Sequence, residues 1–141
     1  MVANLSYHPP ESRPALDKRQ LFDELRQLIG EASEEELEGL IELFHVVAAQ
    51  RAAEARQAFE SRDLVTLRRA GHTLRSMAAS IGAWDLSGVA SRLEDQCLTL
   101  MDRGEPLPES GEVAQMVERI ENELAWLAKI STNDGASAPR A

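Results

Sequence analysis

Apolar residues recur at spacings of three and four along four long stretches of this chain, and no stretch shows the alternation of a strand. Positions three and four apart share one face of a helix, so this periodicity commits most of the chain to amphipathic helices. The first long stretch opens on Ser33-x-x-Glu36, a capping box, and carries Leu37, Leu40, Ile41, Phe44, Val47, Ala48, Ala55 and Phe59. Ser61-Arg62-Asp63 breaks it, with Asp63 as N-cap of a second helix that ends near Gly82. A third helix, about residues 84–102, shows Leu86, Val89, Ala90, Leu93, Cys97, Leu100 and Met101. After a proline-containing loop over 103–110, a fourth helix at about 111–130 presents Val113, Met116, Val117, Ile120, Leu124 and Leu127.

A shorter helix precedes these four. Asp17-x-x-Gln20 reads as its capping box, Leu21, Phe22, Leu25, Leu28 and Ile29 as its inward residues, and Gly30 as its stop. Short connections place successive helices antiparallel, and four apolar stripes can share one core. The expected fold is therefore all-α: an antiparallel up-down-up-down four-helix bundle with a short extra N-terminal helix. Residues 1–15, with Pro9, Pro10 and Pro14, read as an irregular lead-in; 16–131 form the bundle; 132–141 read as a disordered tail.

Composition narrows the function. A net charge of −9 argues against a general affinity for nucleic acid or an anionic membrane. No apolar run is long enough to span a bilayer, and the N-terminal residues lack the charged start and apolar run of a signal peptide. Cys97 is the one cysteine, which fits a reducing compartment, so the expected location is the cytoplasm. Cys97 falls on a core position and reads as a small buried hydrophobe.

The second helix holds the most informative feature. Leu64, Leu67, Gly71, Leu74, Ala78 and Ile81 fall on one side of it, and His72 lies roughly 140° from the centre of that arc, facing water. Ser76 and Ala79 share its surface, and Arg68, Arg69 and Arg75 flank it. Solvent-facing helix positions usually carry long polar side chains. Small residues one and two turns beyond a histidine instead let another surface approach the imidazole. The other two histidines read differently. His8 sits in the lead-in. His45 lies at the edge of an apolar arc, and Glu42-x-x-His45 matches half of a di-iron ligand set, which needs a second such pair and two further glutamates. No metal site is assigned. Trp84 and Trp126 are read as closing the bundle ends.

The run Gly71-His72-Thr73-Leu74-Arg75-Ser76-Met77, followed by Ile81-Gly82-Ala83, Leu86 and Leu93-Glu94, resembles the histidine-containing phosphotransfer (HPt) domain of bacterial and plant phosphorelays. The likeness spans roughly residues 16–131. Arg75 stands where the family usually has lysine; it keeps the charge and can bind phosphate oxygens bidentately. Ser76 replaces the usual glycine and sets a hydroxymethyl group beside the imidazole, able either to hydrogen-bond phosphate or to crowd a partner. Gly71 replaces alanine, at a cost in helix propensity of about 1 kcal/mol.

The resemblance implies a phosphoryl relay. His72 would accept phosphate from the aspartate of one response-regulator receiver domain and pass it to another, with a hybrid histidine kinase as a further candidate partner. Arg75 would stabilise the phosphoryl group, and Arg68, Arg69, Ser76 and Ala79 would form the docking surface. The attacking atom would be Nε2. The chain would need no cofactor of its own, with magnesium held in the receiver. It has no Walker loop or kinase signature, so no autonomous ATP-dependent activity is expected. A non-phosphorylated module that docks on and blocks a receiver or kinase is the alternative, favoured by Ser76 alone. A monomer is expected.

Overall fold

The computed structural model describes residues 18–132. The expected lead-in with His8, the Asp17 cap and the tail beyond Thr132 lie outside the described residues. Five helices follow in order: α1 Lys18–Ile29, α2 Glu34–Glu60, α3 Leu64–Ser80, α4 Trp84–Arg103 and α5 Glu112–Ser131. Among the described residues there is no strand.

The caps form where the sequence places them. Ser33 Oγ accepts from Glu36 N at 3.1 Å, and Ser33 N donates to Glu36 Oε1 at 2.9 Å, so each end of the box satisfies a backbone amide. Asp63 caps α3 by accepting from Thr66 N at 3.1 Å and from the Thr66 hydroxyl at 2.6 Å. At the end of α3, Gly82 adopts φ 75°, a left-handed conformation that costs glycine nothing.

Helices α2 and α4 each pack against both α3 and α5, so the four long helices close a ring around one core. Leu37, Phe44, Leu67, Leu74, Leu93 and Ile120 fill it. The most extensive contact joins α3 to α4. Small residues make it close: Ala70, Gly71 and Ala78 on α3 and Ala90 on α4 are all buried. A Cβ added at Gly71 would sit 3.3 Å from the Ala90 carbonyl oxygen and 3.4 Å from Glu94 N. The glycine that costs α3 helix propensity is thus the residue that lets α4 approach. Ser87 Oγ adds a cross-link by donating to the Arg75 carbonyl at 3.0 Å.

Two details depart from the sequence reading. Leu28 and Ile29 are about half exposed rather than inward. Helix α1 lies mainly against α2 and α5, so Leu21, Phe22 and Leu25 suffice to bury its inner face. The loop before α5 is also anchored. Leu107 is buried, and its carbonyl accepts from Arg62 Nη1 at 2.9 Å, while Arg62 Nη2 lies 2.9 Å from Glu109. Arg62 itself turns the chain between α2 and α3 at φ 65°. Among the described residues no helix is long and apolar enough to cross a membrane.

Candidate functional site

Helix α3 presents His72 outward, with its side chain 50% exposed. The apolar arc of α3 dictates this: Leu67, Ala70, Gly71, Leu74 and Ala78 are buried, and His72 occupies the opposite side. Of the residues expected beside it, Ser76 and Arg69 are exposed, while Arg68, Arg75 and Ala79 are partly covered. Val65, seven residues before His72 on the same face, adds an exposed apolar side chain.

The decisive neighbour comes from α4. Glu94 Oε2 lies 2.9 Å from His72 Nδ1, and Glu94 Oε1 lies 3.2 Å from Arg75 Nε. Arg68 Nη1 completes the group at 3.5 Å from Oε2. Only 11% of the Glu94 side chain is exposed, so the carboxylate works in a partly desolvated setting where its hydrogen bonds are stronger. In the sequence, Glu94 stands only as part of the family resemblance, with no role attached. The available signal was an acid on the apolar stripe of α4, between buried Ala90 and Cys97. A buried acid calls for hydrogen-bonded or charged partners.

This geometry assigns the ring protons. Arg75 Nη2 also lies 3.2 Å from His72 Nδ1. A single nitrogen cannot accept from a guanidinium and donate to a carboxylate at once. The carboxylate has only acceptors and sits closer, so Nδ1 carries the hydrogen and donates to Glu94. Nε2 then holds the lone pair. The two arginines neutralise Glu94 and leave one net positive charge around the imidazole. Arg75 is therefore tied to Glu94 rather than standing free, while its remaining N–H groups stay near the ring.

The other singled-out groups do not join this site. His45 Nε2 lies 2.9 Å from Ser131 Oγ, its ring meets Phe44 edge-on at 5.5 Å, and burial lowers its pKa. It links α2 to the end of α5. Cys97 is buried, and desolvation pushes its thiol up to about 11. Among the described residues no group of three or more His, Cys, Asp or Glu side chains could hold a metal ion.

Comparison with protein-family models matches the Hpt domain over residues 24–127. The chain belongs to the Hpt domain family. Hpt domains act in histidine phosphotransfer within phosphorelays and interact with response-regulator receivers and kinases in general. The match runs from within α1 to within α5 and so includes both helices of the His72–Glu94 pair. No curated protein and no solved structure gives a significant match to this Hpt domain.

Proposed function

We propose that His72 is the phosphoacceptor of a relay, taking a phosphoryl group from the aspartate of one receiver domain and passing it to the aspartate of another. The observation that carries this reading is the half-exposed imidazole whose Nδ1–H is held by Glu94. Holding that proton on Nδ1 turns the Nε2 lone pair toward an incoming phosphorus atom. As the Nε2–P bond forms, the bond from phosphorus to the aspartyl oxygen breaks and the carboxylate leaves. The ring becomes positive because Nδ1 keeps its hydrogen, and the Glu94 carboxylate is placed to stabilise that charge. Transfer to a second receiver reverses the same steps and returns the neutral ring.

Arg75 offsets charge on the phosphoryl oxygens through the donors that Glu94 does not use. Arg68, Arg69, Ser76 and Ala79 form the rim on which a receiver docks, with small side chains at 76 and 79 leaving room for in-line approach. Magnesium belongs to the receiver's site in this scheme. An antiparallel up-down-up-down course, a cytoplasmic location and a monomeric carrier complete the proposal.

Incubation with phosphorylated receivers tests it. The expected product is an acid-labile phosphate on the wild-type chain and none on His72→Gln. Transfer that persists in His72→Gln removes His72 from the role. Tight receiver binding without transfer points instead to a blocking module.

A further inference from the structure

The surface that holds His72 continues beyond it along both helices, and its character differs on the two sides. Arg75 of α3 meets Ser87 of α4, while Arg68 and His72 meet Glu94. Residues after Glu94 on α4 therefore lie beside residues before Arg68 on α3. On α4, Leu98 and Met101 follow Glu94 one and two turns along the same face. On α3, Arg68 and Val65 lie one and two turns before His72. Val65, Leu98 and Met101 are large apolar side chains left exposed, at 47%, 44% and 39%. In the other direction the same stripes carry Ser76 and Ala79 on α3, and Ser91 and Ser87 on α4. Small residues lie on one side of the imidazole and an apolar patch on the other.

We infer that Val65, Leu98 and Met101 anchor the receiver domain whose aspartyl phosphate reaches His72. This rests on the proposed phosphotransfer at His72. Val65 lies about 10 Å along α3 from His72. A specific interface buries about 800 Å² on each partner, a disc of roughly 16 Å radius. A receiver centred on the imidazole therefore covers the patch as well. Within that footprint the three apolar side chains gain more from leaving water than the serines opposite do. Arg68 stands between Val65 and His72 and is joined to Glu94, so patch and reacting group share one continuous surface.

The patch selects among receivers. It suits one with an apolar side chain beside its phosphorylation site, about 10 Å from the aspartyl phosphate. A receiver with a charged side chain there would bury that charge without a partner. A second copy of this chain is a poorer occupant, because a two-fold pairing would bring the exposed Arg69 of each copy into one interface.

Leu98→Gln combined with Met101→Gln in the full chain provides the test. Glutamine keeps helix propensity and adds no charge near Glu94. The probe is the phosphorylated receiver domain that charges the wild-type chain. The half-saturating receiver concentration should rise roughly 10-fold or more, with the rate at saturation unchanged. Phosphoramidate needs no docking surface, and it should phosphorylate His72 equally fast in both proteins. In that reaction the P–N bond breaks and ammonia leaves as the Nε2–P bond forms. A saturation curve that overlays the wild-type curve overturns the patch. A slowed reaction with phosphoramidate does so too, because it places the effect at His72 itself. A wild-type dimer that the double variant converts to monomer assigns the patch to self-association and overturns the receiver as its occupant. A wild-type chain that takes phosphate from no receiver removes the relay reading, and the patch with it.

Discussion

His72 on α3 and Glu94 on α4 meet at 2.9 Å, Nδ1 to Oε2, across the most extensive helix contact of the bundle. In the proposed mechanism, that contact decides which ring nitrogen is nucleophilic. It exists because Gly71, the residue just before His72, lets the α4 backbone approach α3.

Replacing Glu94 with Gln keeps an oxygen for the Nδ1–H but removes the charge that balances a phosphorylated ring. A hydrogen bond to a charged group contributes about 1.5–3 kcal/mol, so transfer should slow by roughly 10- to 100-fold. Receiver affinity should hold, and ring ¹⁵N shifts should show a weaker preference for hydrogen on Nδ1. An unchanged transfer rate in Glu94→Gln would remove Glu94 from the mechanism.

Two glycines should respond oppositely to alanine. At Gly39, within α2, an added Cβ meets nothing within 4 Å. Gly39→Ala should gain about 0.5–1 kcal/mol, or some 4 °C in Tm. At Gly71 the new Cβ presses on backbone atoms of α4, which yield less readily than a flexible side chain. Gly71→Ala should therefore lower Tm and also slow transfer by widening the His72–Glu94 gap. Thermal melts of the two variants side by side check this.

How far this architecture could be read from sequence depends on whether the cause is local. The capping residues Ser33 and Asp63 act within four residues of themselves, and the outward position of His72 follows from the arc of its own helix. Glu94 could be placed on an apolar stripe, but its partners depend on how closely α3 and α4 pack, which the pattern of α4 alone does not encode. Leu107 is buried and its carbonyl accepts a hydrogen bond from Arg62, 45 residues away, and no local periodicity marks it. Leu28 and Ile29 fit an inward pattern, yet α1 has too few neighbours to cover them.

Asp63 links stability to acidity. Its pKa is lowered, chiefly by the Thr66 hydroxyl and next by the Thr66 backbone amide. A carboxyl whose pKa is lower folded than unfolded adds stability above its unfolded value, and that stability is lost as pH falls through the folded value. Asp63→Asn retains a capping oxygen, so its Tm at neutral pH should stay near wild type while its acid-side decline becomes shallower. Asp63→Ala should have a lower Tm at neutral pH. Melts from pH 7 down to about 3, spanning the ordinary aspartate range, distinguish the three proteins.

Cys97 should be inert in the folded chain. Its thiol is pushed up to about 11 by burial, leaving scarcely any thiolate at neutral pH. Reaction with a disulfide reagent should follow the rate of unfolding and become immediate in denaturant. Fast labelling under native conditions would show that α4 opens on its own.

The most direct test is the chemical position of the phosphate after exposure to a phosphorylated receiver. Phosphorus–nitrogen NMR correlation on ¹⁵N-histidine protein should place it on Nε2 of His72, with Nδ1 still protonated toward Glu94. Phosphate on Nδ1 of His72, on His45 or on Ser76 would contradict the mechanism.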